Sequence, residues 1–414
     1  MIKKILVAML VLVALVSNAQ EGTSSPYSFY GLGIQKFKGT VENRSMGGLS
    51  VFTDSIHLNL QNPASFGELR LTAYTVGTSY NSFEISNQTE SSSGDNASLD
   101  YLAIGIPAGK FGFGFGVIPK TSVGFQLRSI DENDREEEFT GTGGLNKVFL
   151  SAGLKVNKNL SVGLDFNYNF GNIENKSILR RPDRQFDTRR ITSSNLSSFS
   201  LSLGLVYKTM ISEQLEWHAS VVSTPSFSLS AESSREESTI LIGTNGSEAV
   251  FDRRETDLGE DNIDLPAELK VGTGIGKPKK WFVGAEYIYT DSGDYTEAVF
   301  TGEDAAYSDA SKFKIGGFYI PKYNSLTSYF SRVVYRAGFR YEETGLNINN
   351  QSIDEFGISF GVGLPVGRLF SNANIGFEYG QRGTKDFGLV REDFMNVSIS
   401  LSLNDRWFRK IKFN

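Results

Sequence analysis

Polar and apolar residues alternate along most of this chain, and the alternation is most regular at its end. In 393–404, Met395, Val397, Ile399, Leu401 and Leu403 share one face of a strand. Asn396, Ser398, Ser400, Ser402 and Asn404 share the other, because strand side chains alternate with period two. Similar segments predict strands at roughly 71–83, 98–107, 110–130 (interrupted), 145–156, 160–170, 193–208, 215–229, 265–276, 280–290, 311–320, 332–342, 354–364, 371–381 and 393–404. That makes about fourteen, and bacterial single-chain barrels use an even number. Short connections at 108–109, 157–159, 209–214, 276–279 and 365–370 take turns with long polar ones at 84–97, 131–144, 171–192, 230–264, 291–310, 343–353 and 382–392. Only 321–331 breaks the rule, being long where a short turn belongs. Periplasmic turns and extracellular loops alternate in this way. The pattern predicts an all-β chain, a transmembrane antiparallel β-barrel over 71–404 whose last strand closes on its first. Closure leaves no unpaired edge in lipid, where every backbone polar group needs a partner.

The faces divide lipid from lumen. Leu160, Val162, Leu164, Phe166, Tyr168 and Phe170 face out, opposite Asp165, Asn167 and Asn169. Phe199, Leu201, Leu203, Leu205 and Tyr207 face out, opposite Ser200, Ser202 and Gly204. Val333, Tyr335, Ala337, Phe339 and Tyr341 face out, which turns Arg332, Arg336 and Arg340 inward. Arginine is costly on a lipid face, so the lumen is expected to be polar and partly charged. Residues 20–70 lack long alternation, yet carry Phe29, Tyr30, Met46, Val51, Phe52 and Leu60. So many apolar groups favour a compact plug packed inside the barrel over a loose periplasmic tail.

Composition sharpens this picture at three points. Residues 1–19 have a signal-peptide layout, with Lys3 and Lys4, an apolar run over 5–16 and Ser17-Asn18-Ala19, so export with cleavage after Ala19 is expected. Residues 405–414 would remain as a periplasmic tail. The absence of cysteine removes disulfides, a lipoprotein anchor and thiolate metal sites. A net charge of −6 suggests no nucleic-acid partner. His57 and His218 are the only histidines and lie far apart in sequence, and no Gly-x-Ser-x-Gly elbow is present, so neither an enzyme nor a cofactor is expected. The acidic run 131–138 and the basic run 180–190 sit on neighbouring outer connections. They can pair with each other, meet surface polysaccharide or a partner protein, or simply be solvated. The acidic stretch 252–264 lacks the spacing of a calcium loop.

Several stretches resemble the long-chain fatty acid transporter family of outer-membrane barrels, in its Bacteroidota branch. Met46-Gly47-Gly48 through Asp54 to Asn62-Pro63-Ala64 is similar to that family's hatch. Leu265-Pro266-Ala267-Glu268-Leu269-Lys270-Val271-Gly272 is similar to its Leu-Pro strand. Ser25-Pro26-Tyr27-Ser28 and Leu403-Asn404-Asp405-Arg406-Trp407-Phe408 resemble Bacteroidota outer-membrane proteins generally. The resemblance implies a barrel plugged by an N-terminal hatch, entry of hydrophobic ligands from outside, and a kink in the third strand that opens a side exit. The third strand here reads Phe111-Gly112-Phe113-Gly114-Phe115-Gly116-Val117-Ile118-Pro119. Its glycines and proline predict an interruption near Pro119, or a strand that ends there.

The sequence leaves two functions open. One is passive transport of small hydrophobic molecules, with the hatch as gate and a lateral exit. The other is a non-transporting subunit docked on a larger outer-membrane secretion or barrel-assembly complex. Outer-membrane lipid and lipopolysaccharide are the expected surroundings in both. In the lumen, Arg332, Arg336 and Arg340 are expected over a lane of glycines on 354–364. There they would pair with Glu378 or with a hatch carboxylate such as Asp54, or merely line water.

Overall fold

The computed structural model describes residues 23–131, 134–243, 246–293, 305–366 and 371–407. The signal-peptide expectation over 1–19 and most of the 405–414 tail lie outside them. Fourteen antiparallel strands form a closed barrel. In chain order they are β1 (Thr72–Ser86), β2 (Ser91–Ala108), β3 (Phe111–Pro119 and Thr121–Ile130), β4 (Glu136–Lys155), β5 (Leu160–Arg180), β6 (Asp187–Met210) and β7 (Glu216–Thr224 and Phe227–Ile242). The second half comprises β8 (Glu248–Leu265 and Glu268–Lys277), β9 (Trp281–Thr290), β10 (Ala305–Tyr307 and Ala310–Tyr319), β11 (Val334–Ile348), β12 (Gln351–Pro365), β13 (Asn372–Gly383) and β14 (Arg391–Asp405). Closure runs from Arg391 against Ser86 to Asp405 against Thr72, one unbroken antiparallel register. The regular alternation at the end of the chain therefore serves the seam.

Alternation works as expected on the wall. Leu164, Phe166, Tyr168, Phe199, Leu201 and Leu203 are exposed, while Asp165, Asn167, Asn169 and Ser200 are buried inside. Outward residues that look unfavourable in water form the lipid-facing band. At the short-turn end, Tyr207 meets Trp217 edge-on and Tyr74 meets Trp407, as in the aromatic girdle of such barrels.

The long outer connections are shorter than the sequence suggests. The expected loops at 84–97, 131–144, 171–192 and 230–264 are mostly continuing strands, so that β1 and β2 are joined by 87–90 alone and β5 and β6 by 181–186. Above the membrane both strand faces are solvated. The apolar signal fades there although the hydrogen-bond ladder continues. The acidic and basic runs pair across this extension, Arg180 with Glu136 at 2.9 Å and with Glu138 at 3.5 Å. The long turn at 321–331 is real and ends in a 3₁₀ turn, Phe330–Arg332.

Four strands are interrupted. β10 breaks at 308–309, close to its outer end, and the other three break nearer the lumen's core. β3 breaks at Lys120, β7 between Thr224 and Phe227, and β8 between Leu265 and Glu268. Pro225 and Pro266 stand in the last two gaps, where a residue without an N–H can be tolerated. Beyond Lys120 the outer half of β3 leaves β2. It stays hydrogen-bonded to β4 on one side, and Thr121 and Ser122 pair with Gln35 and Ile34 on the other. Val123 and Phe125 then join Leu32, Leu145, Leu196, Leu229 and Ile263 in an apolar core that fills the outer part of the lumen on that side.

Candidate functional site: a plugged lumen beside a broken strand

Residues 23–71 lie inside the barrel and are built from short pieces. The helix Val41–Arg44 starts at Thr40, whose hydroxyl accepts from the Asn43 N–H while Asn43 reaches back to the Thr40 N–H. The 3₁₀ turn Pro63–Glu68 starts at Asn62, whose side chain accepts from the Ala64 N–H. The Asn-Pro-Ala motif is thus a cap followed by a proline that needs no partner for its missing N–H.

What lets these pieces approach the wall is glycine. Around Pro63–Glu68, a side chain at Gly112, Gly153 or Gly163 would strike plug backbone, with a Cβ 1.8 Å from the Phe66 carbonyl oxygen, 2.4 Å from the Gly67 nitrogen and 2.3 Å from the Ala64 nitrogen respectively. At Gly204 it would meet the Asn62 side chain at 2.3 Å. At Gly114 it would meet the Phe66 ring at 2.2 Å. These glycines stand on β3, β4, β5 and β6. A second floor lies on β10 to β13, where Gly316 and Gly338 face the backbone of Met46 and Gly47, and Gly361 and Gly376 face Ser45. The two floors are seven strands apart in a ring of fourteen, so the plug is wedged between opposite walls.

Buried charges fix it between those floors. Glu286 on β9 accepts from the Ser50 N–H at 3.0 Å and from Lys314 of β10 at 2.9 Å, and Lys314 also donates to the Gly48 carbonyl at 3.1 Å. Glu68 meets Lys155 and Lys208, each at 2.9 Å, and accepts from Ser161 at 2.6 Å. Burial pushes the Glu68 carboxyl up, but Lys208, Ser161 and Lys155 outweigh it and hold the value at about 2. Asn374 donates to Glu42 at 2.8 Å, and Arg44 lies 3.5 Å from Asp100 and 3.6 Å from Glu378. Lys38 meets Glu268 at 3.3 Å.

The expected lumen charges divide. Arg340 pairs with Glu378 at 2.8 Å, also contacts Glu355, and crosses Gly357 on the way. Arg336 donates to Asn374 at 3.1 Å over Gly363, and Glu378 is not its partner. Arg332 is not on the strand. It belongs to the 3₁₀ turn and stacks over Tyr329, 5.4 Å from the ring centroid. Asp54 does not reach an arginine either. It accepts from His57 Nδ1 at 2.6 Å and from the Ile56 and His57 N–H groups. Gly47 and Gly48 adopt positive φ, 69° and 84°, where the plug turns against the wall. Gly112, Gly114 and Gly116 lie in an unbroken ladder with both β2 and β4, and the break falls one residue past Pro119. Those glycines make room for Phe66 and Phe149, which is a different reason for their presence from strand weakness.

The Asp54–His57 pair carries a pH dependence. Burial raises the Asp54 carboxyl, but the imidazolium and three hydrogen bonds prevail and bring it to about 2. Burial lowers His57, and Asp54 overcomes this to raise it above 6.5. Asp54 therefore contributes stability above about pH 4 that is lost as pH falls toward 2, and His57 contributes below pH 6.5 and loses it as pH rises through its elevated value. The plug is expected to be tightest between those limits. With two histidines in the chain, proton NMR of the ring C–H groups, assigned with His57→Ala, should show one titrating clearly above 6.5. A His57 midpoint at or below 6.5 would contradict the pair.

Among the described residues, two sizeable cavities lie around the plug. One of about 220 Å³ lies between the breaks in β3 and β7–β8 and is lined by Leu32, Leu60, Ile118, Pro119, Leu145, Phe227 and Leu265, with Lys120 and Lys147 among them. The other, about 310 Å³, is lined by charged groups including Lys312, Arg340, Glu355, Arg382 and Glu392. Among the described residues no group of three or more His, Asp or Glu side chains is placed to hold a metal.

A family model described as BamG matches residues 1–414, the full length. The chain belongs to the BamG family. No curated protein matches its sequence. Solved structures share the fold of this BamG-family barrel. The monoaromatic hydrocarbon channel CymD superposes with a TM-score of 0.60 at 14% identity, covering 91% of this chain and 99% of that one. The Ralstonia pickettii toluene transporter TbuX gives 0.58 at 16%, covering 89% and 99%. A Pseudomonas aeruginosa FadL homologue gives 0.56 at 13%, covering 90% and 98%. At such identities the likeness shows a shared barrel architecture.

Sequence reading missed Glu286, Lys314, Glu68, Lys155 and Lys208. For Glu286, Lys314, Lys155 and Lys208 the signal was present, as charges at inward positions of strands; Glu68 closes the 3₁₀ turn Pro63–Glu68, off any strand, where alternation gives no signal.

Proposed function

We propose that this chain is a non-transporting barrel subunit of a larger outer-membrane complex, of the secretion or barrel-assembly kind, in a Bacteroidota outer membrane rich in lipopolysaccharide. The supporting observation is the attachment of residues 23–71 to both glycine floors and, by buried or part-buried polar pairs, to β4, β5, β6, β8, β9, β10 and β13. A gate must move. Moving this segment would strand several charges away from water, at several kcal/mol each. Such a barrel suits service as a rigid body for partners better than repeated opening. Extraction in mild detergent from cells carrying a tagged copy should bring down a large partner at fixed stoichiometry. Uptake of a hydrophobic tracer should be unchanged in a deletion strain. A monodisperse single chain, together with lost uptake on deletion, would overturn the reading.

A second reading is passive transport of small hydrophobic molecules, with 20–70 as hatch and exit beside β3. It draws on the 220 Å³ cavity next to Lys120, whose lining mixes apolar side chains with polar and charged ones, and on the architecture shared with hydrocarbon channels. Restored uptake by the wild-type gene, in the absence of any partner, would favour it.

A further inference from the structure

β2 pairs with β1 over most of its length, from Ser91 against Ser86 to Gly105 against Ala73. With β3 it pairs only from Leu102 to Ala108. The outer half of β3 has turned inward, where Ser28 caps the Gly124 N–H and Ile34 and Gln35 supply a strand. Residues 91–99 therefore have a strand on one side and none on the other among the described residues, which here run without a gap from 23 to 131. In an antiparallel ladder alternate residues point their N–H and C=O groups to each side, so this edge offers a row of free donors and acceptors.

Exposed edges are ordinarily blunted by lysine, proline or a bulge. Residues 91–99 contain no lysine or proline. The register with β1 is regular until the shift between Gly77 and Thr78, which falls at Asp100. Ser91, Ser92, Ser93, Asp95 and Leu99 are exposed, and the side chains are small. Nine residues make a straight docking rail of roughly 30 Å, an ordinary length for strand addition.

Charge narrows the occupant. Residues 72–109 contain no lysine or arginine, but do contain Glu84, Glu90, Asp95 and Asp100. Asp100 is met by Arg44 inside the barrel. Glu84, Glu90 and Asp95 have no ion pair among the described residues. Asp95 lies opposite Ser82 and Glu84 opposite Ser93, so the two carboxylates are diagonal neighbours on one face. A guest strand with cations at alternate positions would lay them along that face.

We propose that the edge of β2 over 91–99 receives an extended, basic segment of a partner protein as an added strand, an inference that rests on the subunit reading above. The main chain supplies the attraction and the two carboxylates select for lysine or arginine.

The test uses the purified full-length chain in detergent and a ten-residue peptide of alternating threonine and lysine. At saturation, amide exchange over 91–99 should slow at least tenfold, with β14 unchanged, and a threonine–glutamate peptide should leave it unaltered. Glu84→Gln with Asp95→Asn should weaken the lysine peptide about threefold to tenfold and flatten its salt dependence. Both residues are exposed, and heat-modifiable mobility will report that the variant barrel has folded. No slowing at saturation, slowing confined to another strand, or exchange over 91–99 already as slow as along Thr72–Ser86 would overturn the edge. A co-purified partner whose cross-links avoid 91–99 would also overturn it while leaving the subunit reading intact. Protection by the peptide without any co-purified partner would support the edge and count against the subunit reading.

Discussion

Replacing Glu286 by alanine is expected to free the plug around Gly48 and Ser50 while leaving the barrel closed. The side chains of Glu286 and Lys314 are 0% and 5% exposed and lie directly opposite each other on β9 and β10. Truncating the carboxylate leaves the Lys314 ammonium in a dry site with the Gly48 carbonyl as its remaining hydrogen-bond partner. Stranding one member of a buried pair costs about 3–5 kcal/mol. The barrel has no need of that side chain, because the β9 ladder with β8 and β10 is made by main chain. The loss should therefore fall on the plug, whose open population would rise by about two to three and a half orders of magnitude. Trypsin cleavage after Arg44, which is mostly buried, measures it, with heat-modifiable mobility reporting the barrel. Glu286→Gln combined with Lys314→Met removes both charges and should be milder than either alone, which a double-mutant cycle would express as coupling. Cleavage equal to wild type in Glu286→Ala would show that the pair holds nothing.

How legible these features were depends on which solvent imposed them. Lipid forces period two, so the outward residues of β5 and β6, and the closing run of β14, were readable directly. Beyond the band, the outer parts of strands, such as 136–144 of Glu136–Lys155, carry polar residues on both faces and read as loops. The wall glycines were visible too, but their meaning was not. Gly112 and Gly114 look like weakness in a strand when read alone. Set beside Gly153, Gly163 and Gly204 they form a floor, and only the register round the barrel brings those positions together. The same holds for Glu286 and Lys314, which are cross-strand partners separated in sequence by 291–310. Arg332 was misplaced for a local reason. The strand starts at Val334, and a 3₁₀ turn resets the alternation just before it.

Valine at Gly338 is expected to release the other end of the same contact, and here the reason is volume. A Cβ at Gly338 would lie 2.1 Å from both the Gly47 nitrogen and the Met46 carbonyl carbon. These are backbone atoms in a tight turn with Gly47 at positive φ, so no rotamer change relieves the clash. Overpacking of this kind costs about 1–3 kcal/mol or more, and the weaker partner yields. The wall strand is hydrogen-bonded on both sides; the plug is held by fewer bonds and should move. Amide exchange should accelerate at 46–49 and stay slow at 65–69, which rest on the opposite floor. Gly112→Val should reverse that pattern, since its Cβ would fall 1.8 Å from the Phe66 carbonyl oxygen. Gly114→Val meets the Phe66 ring instead, and a ring can swing, so its effect should be smaller than that of Gly112→Val. Ala337→Val, on the lipid-facing side of the same strand as Gly338, controls for the added methyl groups and should change neither region. If Gly338→Val and Ala337→Val behaved alike, the glycine floor would be incidental to how the lumen is closed.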